Sequence, residues 1–372
     1  MKRLVIFALA AAGLWSALIA DQPAAAPAVT WQIAPFVRPP SPQPIITPNP
    51  KSRFRNPVDG KPVQWEALHT FNPAAVVRNG KVYVLYRAED NSGQMQIGMH
   101  TSRLGLAESS DGVHFTRRAE PVLYPDNDAQ KEREWPGGCE DPRIVESPDG
   151  TYVLTYTQWN RKKTAAAIAT SKDLVHWTKH GPALGTEGKY AALSYKSAGI
   201  VTRLEGGRLI AARIAGKYWM YWGEIVVRLA TSDDLIHWTP VEDSHGEPVV
   251  VLSKREGRFD SSFPEVGPPP VLTAKGIVVL YNGKNAPEGG DPSLGANAYA
   301  AGEALFAADD PSKLIGRTEA PVFKPELAFE KTGQYAAGTT FTEGLVWFRN
   351  QWFLYYGCAD SMVGVAISGT KL

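Results

Sequence analysis

Cysteine is scarce: Cys139 and Cys358 are the only two in 372 residues, too few for a disulfide scaffold, and no CxxC pair is present. The two are expected to stay unpaired. An excess of one charge is also missing. With 39 Lys+Arg against 38 Asp+Glu, the chain lacks the clustered basic surplus that nucleic acid or an anionic membrane surface demands, so neither is an expected partner. There is no HExxH, no GxSxG elbow and no P-loop, which removes most support for zinc, serine-hydrolase and nucleotide chemistry. No cofactor and no metal ligand is assigned, although a hard cation held by carbonyls would leave no trace in a sequence. A long apolar run occurs once, from Leu4 to Ala20 behind Lys2 and Arg3. Small residues follow it, the pattern of a secretory signal. Residues 1–20 are therefore set apart from the fold, and the protein is expected to be exported, periplasmic or secreted. An uncleaved anchor is the alternative, since the run is at the short limit for a bilayer span.

What is abundant points to β-structure. The chain has 34 Gly, 29 Pro, 11 Trp, 14 Tyr and 13 Phe, which suits many short strands joined by turns and not a helical bundle. Prolines crowd the stretch from Asp21 to Pro50, so residues 21–65 form a Pro-rich N-terminal extension. Trp31, Ile33 and Phe36 favour a strap lying on the domain surface. Beyond it a phrase recurs: AESSDGVHF at 107–115, ATSKDLVHW at 169–177 and ATSDDLIHW at 230–238, with weaker copies at 306–310 and 365–368. Upstream of each copy lies a pair of apolar β-rich runs, often with a turn signal between them, as at Asn79-Gly80 and Asp149-Gly150. Five such units predict a five-bladed β-propeller over residues 66–372, an all-β fold.

In a propeller, inner-strand starts and second-strand ends meet around the central axis. The predicted starts are Asn72, Asp141, Lys196, Glu265 and Thr340; the predicted ends are Arg87, Thr157, Arg213, Asn282 and Gly357. Polar residues gather there although the adjoining strands are apolar, the pattern of a pocket on a rigid rim. His114, His176 and His237 share one slot of the repeat and are read as blade-packing residues. The rim carboxylates Glu89, Asp90, Glu140, Asp141, Glu224, Asp260, Glu265 and Asp360 are the richer signal. Cleaving a glycosidic bond takes one carboxyl that protonates the leaving oxygen and one carboxylate that activates water or attacks the sugar. For any one of them, pairing with Arg87, Arg103 or Arg143 is the plainer reading. Trp159, Tyr195, Tyr218, Trp219, Tyr221 and Trp222 lie in or beside rim loops, where their faces would pack on pyranose C–H groups, the alternative being that about half of them are inter-blade core.

Several separated motifs, in order, resemble glycoside hydrolase family 130: Asn72-Pro-Ala-Ala75, Tyr86-Arg-Ala-Glu-Asp90, Ser102-Arg-Leu-Gly-Leu-Ala107, Gly138-Cys-Glu-Asp-Pro-Arg143, Gly267-Pro-Pro-Pro270 and Tyr356-Gly-Cys-Ala-Asp360. The resemblance implies a five-bladed propeller acting on β-mannosides, as an inverting phosphorylase or a hydrolase. It assigns Asp141 as general acid, acting through the 3-hydroxyl of the mannose. Asn72, Arg87, Asp90, Arg103, Lys196 and Asp360 match positions that hold the terminal sugar, and Tyr221 and Asn282 join them as candidate substrate-binding residues. Phosphorylases carry a histidine in a Tyr-His-Gly sequence where this chain has Tyr281-Asn-Gly283, so a phosphate-binding cation is missing. Glu224 and Glu265 look like the two candidate bases of the hydrolytic branch, and carboxylates there repel phosphate. Lys196, Arg143 and Arg213 leave a phosphate site open. The expectation is an inverting exo-β-mannosidase on β-1,2-linked manno-oligosaccharides. A mannoside phosphorylase, a glycan-binding propeller without catalysis, and other five-bladed glycosidases are the alternatives.

Overall fold

The computed structural model describes residues 31–371, so the signal-like segment 1–20 and the first part of the Pro-rich extension lie outside the described residues. The described chain is built from short strands, with one helical turn at Lys131–Glu134 and one 3-10 turn at Ala328–Glu330. Turn chemistry explains the hairpins. Asn79 and Gly80, at φ +50° and +71°, connect His69–Arg78 to Lys81–Glu89. Both turn residues are left-handed, the conformation that matches the twist of the flanking strands. Arg349 and Asn350, at φ +50° and +60°, do the same between Thr340–Phe348 and Gln351–Cys358.

Each blade runs antiparallel from an inner strand outward. The first three strands of blade one are His69–Arg78, Lys81–Glu89 and Ser102–Ser109; those of blade two are Gly138–Glu146, Tyr152–Trp159 and Thr164–Ser171. Blade three is interrupted: its inner strand is split into Ala198–Ile200, which pairs with Lys217–Trp222 over the axial half, and Thr202–Glu205, which pairs with Arg208–Ala211 over the outer half. Blade four centres on Gly276–Lys284 and blade five on Gln351–Cys358. The apolar faces pack blade against blade. Among the described residues, separate core clusters join blades one and two (Leu85, Leu104 with Ile144, Leu154), two and three (Val153, Ile168 with Ile200, Trp222), and three and four (Val201, Leu229 with Val279, Phe306). Two more join four and five (Val278, Leu280 with Leu345, Trp352) and five and one (Val346, Phe353 with Val82, Val84). Contacts that run from each blade to the next and return to the first describe a closed five-bladed β-propeller.

The ring is clasped by the extension. Val37 bridges Ile367 and Ile46 bridges Val363, so residues 37–46 run along the outer edge of blade five and cover part of its unpaired backbone. Ile33 and Phe36 are buried there, and Glu303 accepts the Ile33 and Ala34 amides at 3.0 and 3.1 Å.

The repeated phrase turns out to be an exterior turn. Asp111, Asp173 and Asp234 each accept backbone amides two and three residues on and pair with His114, His176 and His237. The three histidines are 85–87% exposed at the side chain, which corrects their reading as packing residues. The aromatic that follows does the packing, most completely Trp238.

One glycine ties the fold to the site. Gly138 stands at φ +122°, and a Cβ there would lie 2.2 Å from the Ser102 carbonyl oxygen, where blade one meets blade two in parallel register. Gly138→Ala is expected to cost about 1–3 kcal/mol, lowering the melting temperature by several degrees in calorimetry. A shift of less than a degree would show that the strand accommodates the methyl.

Candidate active site

Three inner strands slip register at the same place: between Phe71 and Pro73, between Glu140 and Arg143, and between Thr342 and Gly344. A bulge re-aims the extra residue and twists the strand. Asn72 and Asp141 sit in these bulges at φ +45° and +48°, a region that Asn and Asp tolerate better than other side chains. The Asn72 amide donates to Asp141 Oδ1 at 2.9 Å, so two blades meet over the axis.

Arg87 is the centre of the acid cluster. Its guanidinium lies 2.7 Å from Glu89, 2.9 Å from Glu140 and 3.0 Å from Asp141, with Nε donating to Ser102 Oγ at 3.0 Å and the Phe71 ring 4.6 Å away. Three acids on one buried cation cannot all ionise freely. Burial, opposed by Arg87, pushes the Glu140 carboxyl up to about 7. Burial acts on Asp141 as well, but there Arg87, Lys196 and the Asn72 bond outweigh it and hold the carboxyl at about 2. Below about pH 7 the Glu140–Asp141 pair therefore keeps one proton, on Glu140. Burial also pushes Asp360 up to about 7 against the pull of Arg87.

A second group faces it. Lys196 lies 3.4 Å from Glu265 and 3.7 Å from Glu224; burial works against the ammonium, and the two glutamates together with Asp141 outweigh it and keep it charged. Ser197 donates its hydroxyl to Glu265 Oε1, whereas Glu265 Oε2 is buried without a partner. Burial raises the Glu265 carboxyl above its ordinary range despite Lys196. Beneath both groups, Arg143 donates to the Asp141 carbonyl at 3.0 Å and to the Val266 and Gly267 carbonyls at 2.7 and 3.1 Å. One side chain thus ties the strand bearing Asp141 to the strand bearing Glu265. Glu343 lies 3.0 Å from Arg143, its carboxyl driven well above the carboxylate range by burial despite that cation.

These groups line a cavity of about 310 Å³ that takes in Asn72, Arg87, Glu140, Asp141, Lys196, Glu224, Glu265 and Asp360. Its aromatic walls are Phe71, Trp159, Tyr299, Tyr335 and Phe341. Polar groups and aromatic rings lining one cavity fit a pyranose.

Several predicted contacts lie elsewhere. Tyr221 is wholly buried and donates its hydroxyl to the Pro311 carbonyl at 2.8 Å, so it belongs to the core between blades three and four. Asn282 donates to the Thr342 carbonyl at 3.0 Å and accepts the Thr342 amide at 2.8 Å, pinning blade four to blade five instead of facing the cavity. Asp90 and Arg103 pair at 2.6 Å in the wall of a separate cavity of about 630 Å³, divided from the axial one by the loop 91–98. Arg213 is exposed and donates to the Gly216 and Asp233 carbonyls, away from the rim. Of the six candidate aromatics only Trp159 reaches the cavity. Cys139 and Cys358 are both free and buried.

Fold and site together define a propeller with opposed carboxylates over its axis. Comparison with known proteins gives the family: the profile described as beta-1,4-mannooligosaccharide phosphorylase, of glycoside hydrolase family 130, matches residues 43–371, and the chain belongs to that family. It is 32% identical over 312 residues to a 1,2-beta-oligomannan phosphorylase of Thermoanaerobacter sp. (strain X514), covering 83% of this chain and 92% of that one. A solved structure reported under the words "The GH130 family of mannoside phosphorylases contains glycoside hydrolases that target beta-1,2 mannosidic linkages in Candida mannan" is 53% identical, with a TM-score of 0.89 over 91% of this chain and 94% of that one. A putative glycosidase from Bacteroides thetaiotaomicron is also 53% identical, with a TM-score of 0.90 over 92% and 99% of the two chains.

Proposed function

We propose that the protein cleaves β-mannosides by hydrolysis, as an exported, inverting exo-mannosidase on β-1,2-linked manno-oligosaccharides, with Asp141 as the acid and Glu265 or Glu224 as the base. The observation that carries this reading is the state of the cavity's cations. Arg87 and Lys196, the two basic residues in its wall, are each already paired with carboxylates. A phosphate dianion entering there meets Glu224 and Glu265 with no unpaired cation to offset them, and like charges at that range repel strongly. Water meets no such barrier. Acid and base stand on different blades and line one cavity, the arrangement in which a sugar and an attacking water of an inverting reaction would lie between them.

The names of the relatives favour a second reading. Both the family profile and the Thermoanaerobacter relative are called phosphorylases, and on names the phosphorolytic activity is the better supported of the two. The solved structure at 53% identity is reported with words that include glycoside hydrolases acting on β-1,2 mannosidic linkages. One experiment separates them. With β-1,2-mannobiose in phosphate-free buffer, hydrolysis yields two mannose per disaccharide; on adding inorganic phosphate, the product and rate are expected to stay the same. Cleavage that requires phosphate and yields mannose 1-phosphate would establish the phosphorylase, and saturable binding without product would establish a binding protein.

A further inference from the structure

We propose that His69, Glu89 and His100 form a binding site for one first-row divalent transition-metal ion, zinc being the probe, at the edge of blade one. The three residues are far apart in sequence, and sheet register brings them together. His69 is the direct cross-strand partner of Glu89, and Glu89 is in turn the partner of Ser102, so the chain two residues before Ser102 delivers His100 to the same edge. Their ligand atoms all lie within 4.8 Å of one another. Zinc bound to imidazole nitrogen at about 2.1 Å in a tetrahedral shell sets neighbouring ligand atoms roughly 3.4 Å apart. Closing to that spacing takes small ring rotations about broad terminal torsions.

Each ligand has an outer partner that orients it, as metal sites require. His100 Nδ1 lies 3.2 Å from the Ser92 carbonyl. A carbonyl only accepts, so Nδ1 carries the proton and Nε2 keeps its lone pair. His69 Nδ1 lies 3.0 Å from Ser361 Oγ, a hydroxyl able to accept that proton and leave Nε2 for the ion. Glu89 Oε1 is held by Arg87 and, at 3.5 Å, by Ser102 Oγ, and Oε2 by Gln334 at 3.1 Å, so Oε2 is the oxygen that retains a further lone pair. Glu89 and His100 are buried while His69 is partly exposed, which gives a path in and room for water as a fourth ligand. Two imidazoles and one carboxylate suit zinc, cobalt or nickel; calcium and magnesium prefer all-oxygen sets.

The site is independent of the cleavage reading, and its test is binding. Full-length protein stripped with EDTA and titrated with zinc chloride in a calorimeter is expected to bind one ion per chain, with no comparable heat from calcium chloride. Cobalt is expected to give visible absorption of a four-coordinate nitrogen–oxygen site. His69→Gln and His100→Gln, each checked by circular dichroism and melting in EDTA, are expected to weaken zinc binding by roughly tenfold or more and to erase the cobalt bands. Unchanged affinity in a folded histidine variant, or wild-type protein with no stoichiometric zinc and no cobalt spectrum, would overturn the proposal and leave the two rings as a packing contact.

Discussion

Asp141→Asn is expected to lower turnover on β-1,2-mannobiose by about a thousandfold, the scale on which positioned acid catalysis contributes, while moving the melting temperature little. The substitution keeps the shape. The amide oxygen still accepts from Asn72 and Arg87, which stand 2.9 and 3.0 Å away, and Arg87 retains its contacts to Glu89 and Glu140. What disappears is the ability to pass a proton. The protonation of the Glu140–Asp141 pair adds a pH signature. Asp141, held at about 2, is the ionised member of its pair, and Glu140, raised to about 7, is the one that holds the proton. A group with a raised value is protonated below it and loses its proton as pH climbs through it. The Glu140–Asp141 pair is thus loaded below pH 7 and empty above, and kcat/KM, which reports the free enzyme, is expected to fall on the alkaline side of about pH 7. Full turnover in Asp141→Asn would remove this residue from the mechanism; an alkaline limb far above neutrality would break the link to Glu140.

The parts of the molecule that were legible in sequence share a physical cause. Left-handed turns such as Asn79-Gly80 and the apolar β-rich run at the end of His69–Arg78 are local, so hairpins and their number can be read off, and blade number follows. Asn72, Asp141, Lys196 and Glu265 stand at inner-strand starts, which any closed ring turns toward one axis, and the structure gathers them in a single cavity. The misreadings are non-local. The second strand of blade three breaks after Ala211, makes a short hairpin at 213–218 and returns as Lys217–Trp222, so the rim end of that blade is Trp222–Glu224 and not Arg213. That detour is why Glu224 reaches the cavity while Tyr221 and Trp222 are buried. Glu343 carried a usable signal, since it stands in the same inner-strand slot as Asn72 and Asp141, and Phe71 precedes one of those slots directly. Tyr299 and Tyr335 carried none. The grouping of His69, Glu89 and His100 depends on cross-strand register, which no short spacing encodes.

The choice between the two candidate bases rests on which carboxylate is ready to take a proton. Glu224 is about a third exposed at its side chain and Glu265 only 1%. A buried carboxylate with a raised pKa is a stronger base than a solvated one, and Glu265 Oε2 has no donor, an orphaned acceptor that a water or sugar hydroxyl would satisfy. Its other oxygen is fixed by Ser197 and Lys196, so the free one is aimed by a rigid frame. Glu265→Gln is therefore expected to lose about 10²–10⁴ in kcat with KM little changed, the pattern of an interaction made in the transition state. Glu224→Gln is expected to lose roughly tenfold, because it still leaves Lys196 paired with Glu265. The reverse order of effects would make Glu224 the base and Glu265 the group that sets Lys196 in place. If both variants hydrolyse at the wild-type rate, neither carboxylate activates water. Hydrolysis at that rate still makes water the acceptor, so the base is then another group of the cavity; only cleavage that requires phosphate hands the reaction to the phosphorolytic reading carried by the relatives' names.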